Sequence, residues 1–397
     1  MLNGWRNCTL GEFVTLQRGH DLPEPERRPG RVPILGSFGV TGFHDKPKAP
    51  GPGVTVGRSG ASYGVVTYSE SPYWPLNTAL YVIDFHGNDE RFTYYLLKSL
   101  DFSAFNTGSA QPSLNRNHIH PMIVCVPGLA EQRAIVAVLG AVDDKIEQNR
   151  RTAQSLERLA RAIFRAWFVD FEPVKAKAAG ATSFPSMPQP VFEAVPNCFV
   201  DSEIGSVPKG WAVNPLVACA QLTMGQSPPS AFYNTNGDGL PFHQGVTYYG
   251  FRFPNHRIHC TVDDRVAEPR DVLLSVRAPV GRINVADRRL VLGRGLAGLR
   301  HLEGHQSFLL HQLGHVFAEE DAVGEGTIYK AVTKSFLSQM QLLSPPGKAQ
   351  AAFENVARPL DDLVASHEVE SRKLAEMRDY LLPKLLSGNV RVEVPNG

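Results

Sequence analysis

Alternate steps of four and three residues from Ile135 land on Leu139, Val142, Ile146, Asn149, Ala153, Leu156, Ala160, Ile163 and Trp167, and Asn149 alone in that series is polar. A 3.5-residue period marks the narrow seam of a coiled coil, not the broader face of a helix lying on a globular core. No glycine or proline follows Gly140 in this stretch. Residues 132–168 therefore predict one helix, about 55 Å long at about 1.5 Å per residue. Such a seam needs a second helix to cover it, and the same chain supplies one. A shift of 218 residues lays Pro127 on Pro345, Gln132 on Gln350, and the pair Asp143 and Asp144 on Asp361 and Asp362. The seam then reads Phe353, Ala357, Leu360, Val364, His367, Ser371, Leu374, Arg378, Leu381 and Leu385. Asn149 is expected to meet His367 in a polar layer that fixes register. Pro359, inside the second copy, predicts a kink or a restart.

Outside the helices the pattern changes every few residues between short β-rich runs and Gly/Pro/Asn turns, as in GVTVGRSGASYGVVTY and ALYVIDF. Residues 5–126 read as a mixed α+β unit with one amphipathic helix over 90–100. Six prolines between 173 and 208 predict a linker without regular structure. At Trp211 the chain begins again. Trp5, Leu10, Leu16 and Gly19 are echoed by Trp211, Leu216, Leu222 and Gly225, GASYG by RAPVG, and GSAQPSLNR by GTIYKAVTK. The predicted architecture is α+β: a globular domain (1–127), a helix (128–171), a Pro-rich linker (172–208), a second, similar globular domain (209–344) and a second helix (345–397). Antiparallel pairing of the helices would relate the copies by an approximate two-fold axis. Duplex DNA, with its own approximate two-fold symmetry and long repeat, suits that geometry.

Charge neither supports nor opposes this: 40 basic side chains face 39 acidic ones, so any basic surface is local. One such region is 252–300, with ten arginines against five acids. It reads either as a DNA-facing surface or as a solvated strand face laced with ion pairs. Five scattered cysteines without CxxC spacing suggest reduced thiols and a cytoplasmic location. Neither a signal pattern nor a long apolar span is present, so neither secretion nor membrane insertion is expected. His118 with His120, and His301, His305, His311 and His315, lack carboxylate or thiol partners at ligand spacing. They are expected at polar surfaces or near DNA, with no metal. The glycines from Gly53 lack the lysine of a phosphate loop, leaving a turn able to approach a DNA backbone or an ordinary tight turn.

The duplicated layout, with LAEQ opening the first helix, AIFRAWFVDFEPVKAKAAG closing it and SEIGSVPKGW entering the second unit, resembles the specificity subunit of a type I restriction-modification enzyme. The resemblance spans essentially the whole chain. It implies two target recognition domains, each reading one half of a bipartite site in double-stranded DNA, and helices that set the spacer and dock two methylation subunits, with restriction subunits joining that core. It also implies a non-catalytic chain that binds no cofactor, S-adenosylmethionine residing on the methylation subunit. No Asn/Asp-Pro-Pro-aromatic loop or glycine-rich cofactor turn suggests a methyltransferase in this chain. The candidate DNA-binding residues are Gln17, Arg18, Arg58, Ser59, Tyr63, Ser109, Gln111, Arg116 and Asn117 in the first domain, and Gln226, Ser227, Gln244, Arg277, Arg282, Tyr329, Lys330 and Lys334 in the second. Polar loops beside glycines allow close approach and mixed donor and acceptor readout. The alternative is a coiled-coil scaffold whose heads bind proteins.

Overall fold

The computed structural model describes residues 4–105, 113–322 and 332–392. Contacts divide the chain into two units, Met1–Gln148 with Ser371–Gly397, and Asn149–Glu370. Both divisions fall inside the long helices, Leu129–Phe168 and Gly347–Leu386, so each unit holds one head and half of each helix.

In the first unit an antiparallel sheet runs in the order Thr15–Arg18, Ala79–Asp84, Gly53–Gly57, Val66–Ser69. The second unit repeats it with Ala220–Met224, Leu296–His301, Val272–Ser275 and Ile283–Val285, in the same order and sense. The equivalence extends outward. Trp5–Thr9 pairs with Ile123–Pro127 as Ala212–Pro215 pairs with Gln341–Ser344. Each head also has a second sheet containing one parallel pair, Val32–Gly36 with Trp74–Pro75 and Leu240–His243 with Leu290–Leu292. The echoed residues explain themselves here. Leu10 and Leu216 are fully buried and open the short helices Leu10–Phe13 and Leu216–Cys219. A Cβ on Gly19 would lie 2.1 Å from the Leu76 carbonyl oxygen, and one on Gly225 would lie 2.2 Å from that of Gly293, so only glycine fits where these strands end.

The helix Glu90–Ser99 forms as its pattern predicts. The Asp89 carboxylate accepts from the Arg91 and Phe92 amides at its start, a cap typically contributing about 1 kcal/mol. Phe92, Tyr95 and Leu96 bury one face with Leu16, Val54 and Leu80, each side chain contributing roughly 1.5–3 kcal/mol on burial.

Every predicted seam position on the two long helices is buried or half-buried. Leu139 packs in one cluster with Leu382 and Leu385 in the first unit, and Phe164 and Trp167 with Phe353 and Ala357 in the second. Within each unit, therefore, the helices run antiparallel. His367 Nδ1 lies 3.1 Å from Asn149 Oδ1, and Asn149 Nδ2 donates to Glu370 at 2.8 Å. The helices also begin alike: the Gln132 amide donates to the Pro127 carbonyl and that of Gln350 to Pro345. Paired aspartates then fasten each head. In the first unit Asp143 accepts from Tyr95 and Arg378, and Asp144 from Arg91. In the second, Asp361 pairs with Arg252 and His311, and Asp362 with Arg270.

Two expectations change. The second helix continues through Pro359 without a restart. Residues 172–208 are not structureless: they form the helices Glu172–Ala178 and Gln189–Ala194 and the hairpin of Phe199–Ser202 with Gly205–Pro208. Pro173 and Pro190 sit in first helical turns, where the missing N–H costs nothing. Val174, Phe192, Val195 and Val207 pack into the Phe164 and Trp167 cluster, and the Lys177 ammonium donates to the Glu193 and Val195 carbonyls.

Candidate nucleic-acid interface

Each head carries a polar cleft at the same end of the same two neighbouring strands. In the first unit these are the end of Gly53–Gly57 and the start of Ala79–Asp84. The cleft encloses about 640 Å³ and is lined by Gln17, Arg18, His20, Asp21, Arg58, Asn115 and Arg116, among others. Four of the predicted residues, Gln17, Arg18, Arg58 and Arg116, therefore converge although they come from three separate segments. Main-chain bonds hold them: Arg58 N donates to the Thr78 carbonyl, and Leu114 N to that of Arg58. The Arg58 guanidinium also reaches the Asn77 carbonyl at 3.4 Å. Three arginines against Asp21 leave the cleft basic. Burial, reinforced by the Lys48 charge, lowers the His20 pKa below its usual value against the pull of Asp21, which favours the neutral imidazole.

The second cleft, about 570 Å³, is lined by Gln244, Thr247, Ser275, Arg277, Arg294 and their neighbours. It joins the end of Val272–Ser275 to the start of Leu296–His301. Gln244 and Arg277 were predicted; Arg294 was not singled out, although it stood among the arginines of 252–300. Its guanidinium lies 3.4 Å from the predicted Ser227, which ties that residue to the cleft.

The remaining candidates scatter. Ser59 makes a β-bridge with Ser113 beside the first cleft, and Asn117 is exposed in the short helix Arg116–Ile119. Lys334 is exposed at the start of the equivalent helix Lys334–Gln339. Gln226 is held by its amide to the Leu292 carbonyl, and Arg282 is exposed, with its amide on Ser275. The Tyr63 hydroxyl is engaged internally, donating to the Phe102 carbonyl at 2.6 Å. Ser109, Gln111, Tyr329 and Lys330 lie outside the described residues.

The glycine-rich stretch from Gly53 is a strand and a hairpin loop closed by Gly57 N to Val65 O and Gly64 N to Gly57 O; a strand follows it, not the helix a phosphate loop needs. Of the arginines in 252–300, Arg252, Arg270, Arg288, Arg289 and Arg300 are ion-paired within the unit, while Arg277 and Arg294 line the cleft. The ion-paired reading of that region thus holds for those five, while Arg277 and Arg294 stay candidates for contact with DNA. His301 and His311 are buried instead of lying at a polar surface. The His301 ring accepts the His305 amide, and His311 packs against Phe164 and Asp361. Among the described residues, no three His, Cys, Asp or Glu side chains gather as metal ligands, and no helix is long and apolar enough to cross a membrane.

The type I restriction modification DNA specificity domain family matches residues 3–158, across the first cleft and most of the first long helix. The chain is 29% identical over 287 residues to a putative type I restriction enzyme MjaX specificity subunit of Methanocaldococcus jannaschii, covering 71% of this chain and 63% of that relative. The first unit thus carries a type I restriction modification DNA specificity domain, and most of the chain is similar to type I restriction enzyme specificity subunits. A second relative, the type I restriction enzyme HindI specificity subunit of Haemophilus influenzae, is 23% identical over 70% of this chain and 71% of its own length. The crystal structure of a type I restriction-modification S subunit from M. genitalium shares the fold, with a TM-score of 0.63 at 15% identity over 97% of each chain. The duplicated head-and-helix arrangement is therefore a fold that this chain shares with that S subunit.

Proposed function

We propose that this chain reads DNA sequence for a type I restriction-modification complex, each cleft meeting one half of a bipartite site in duplex DNA. The observation that supports this most is the recurrence of an arginine-bearing cleft at equivalent strand ends of the two heads. Arginine's planar fork matches the two acceptors of guanine in the major groove or a phosphate, and glutamine matches the donor and acceptor of adenine. Arg18, Arg58 and Arg116 with Gln17 supply both chemistries in the first cleft, and Arg277, Arg294 and Gln244 in the second.

The chain makes and breaks no bond in this reading. Methyl transfer from S-adenosylmethionine to an adenine amine belongs to two methylation subunits, to which restriction subunits add. Exposed apolar residues on the long helices, Val138, Leu159, Leu363, Met377 and Tyr380, offer those subunits a docking surface, and the length of the helices sets the spacer between half-sites. The work takes place in the cytoplasm, with the DNA. Binding of the chain with its methylation subunits to duplex DNA should weaken steeply with salt as phosphate counterions are released. Salt-insensitive binding, or binding confined to protein partners, would instead favour a coiled-coil scaffold.

A further inference from the structure

Phe38 stands at the tip of a two-residue turn between the strands Val32–Gly36 and Gly39–His44, and it is 66% exposed. Nothing in the core requires it there, and an aromatic ring held in water brings no stability. The turn itself is fixed firmly. Ser37 Oγ donates to the Thr78 carbonyl at 2.6 Å, the same carbonyl that accepts the Arg58 amide. A Cβ on Gly57 would lie 2.3 Å from the Ser37 carbonyl oxygen, so the turn presses against the strand end that carries Arg58. The second unit places Gln244 and Gly245 at the corresponding position, directly after the strand with the parallel partner, and there they line the cleft. Phe38 thus follows directly on the Ser37 carbonyl that presses against the strand end bearing Arg58, at the position whose counterpart lines the second cleft.

We propose that Phe38 is an apolar wedge that enters the DNA bound in this cleft and separates one base step of the half-site, so that specificity includes the ease of unstacking that step. The inference rests on the DNA-reading function proposed above. An apolar side chain inserted beside cationic phosphate contacts unstacks and kinks a duplex, and leucine can serve in place of phenylalanine.

The test uses the full chain with its methylation subunits on a duplex whose site has been mapped from modified adenines, with the fluorescent base 2-aminopurine placed in turn along the half-site read by the first unit. Wild type should brighten the probe at one step. Phe38→Ala should remove that signal and weaken specific binding roughly tenfold to a hundredfold, while Phe38→Leu keeps the signal. Unchanged fluorescence and affinity in Phe38→Ala would overturn the proposal. So would loss of methylation-subunit assembly in that variant, which would make Phe38, with the exposed Val40 and Phe43 on the same strand, a protein-docking face. Equal wild-type binding to every sequence would overturn the DNA-reading function itself and the wedge with it.

Discussion

Replacing Arg252 with alanine should loosen the second unit and leave the first untouched. The Arg252 side chain is 6% exposed, and its guanidinium lies 3.1 Å from Asp361 and 3.4 Å from Glu157, one carboxylate on each long helix. Burial opposes ionisation of Asp361, but the neighbouring His311 and Arg252 outweigh it and hold the carboxyl below its usual value. Removing the arginine leaves two largely buried carboxylates with too little positive charge beside them. Breaking a buried pair in this way costs about 3–5 kcal/mol. The neighbouring Arg270 and Asp362 pair is 39% and 55% exposed, so Arg270→Ala should cost at most about 1 kcal/mol. Hydrogen exchange can separate the units: amides of Leu296–His301 should exchange two or more orders of magnitude faster in Arg252→Ala where opening of the unit limits exchange, with Ala79–Asp84 as the internal control. The pH dependence has a defined sign. A depressed native pKa gives stability that is present above the unfolded carboxylate range and lost as pH falls through the native value. The deficit of Arg252→Ala relative to wild type should therefore shrink below about pH 4. A cost under about 1 kcal/mol, or equal loosening of both units, would refute this account of how the head is fastened.

Three further outcomes follow from other parts of the molecule. Arg58→Ala and Arg277→Ala should each relax base preference at positions in one half-site, by about 1–3 kcal/mol per lost bidentate contact, as measured by binding competition between site variants; a uniform loss across all sequences would make them phosphate contacts. Asn149→Leu should cost about 1–3 kcal/mol in chemical unfolding by removing the seam partner of His367, and adding His367→Leu should recover most of it; an uncorrected double variant would show that the polar layer does not act as a pair. Inserting one heptad into both long helices should lengthen each by about 10 Å, close to three base pairs at roughly 3.4 Å, and widen the spacer between half-sites as read from modified adenines. An unchanged spacer would mean that the helices do not measure distance.

The helix pair was legible because its signal is periodic and its partner is in the same chain: the shift that aligned Asn149 with His367 and Gln132 with Gln350 identified a side-chain contact and two matching helix starts. The heads were legible as a repeat, since glycines at 19 and 225 are forced by close carbonyl approach, but their sheet order was not, because strand pairing joins residues far apart in sequence. The prolines of 172–208 misled because proline breaks a helix interior but is welcome in its first turn, and the apolar spacing of Val174, Phe192 and Val207 was too sparse to show a core. The clefts were half legible. Arginine and glutamine beside glycine marked Arg58 and Gln244, whereas Arg294 could not be told from Arg300, whose charge Asp271 neutralises, because ion pairing is decided by the fold. Tyr63 stood among the DNA-binding candidates because the bond from its hydroxyl to the Phe102 carbonyl is likewise decided by the fold.

The central claim is that two heads read two half-sites independently. Mapping modified adenines in DNA from a host carrying this chain and its methylation subunits, before and after the head of the second unit is exchanged for that of a related specificity subunit, tests it most directly. The account predicts a bipartite sequence in which the exchange changes one half and leaves the other half intact. A change in both halves, or methylation without sequence preference, would contradict it.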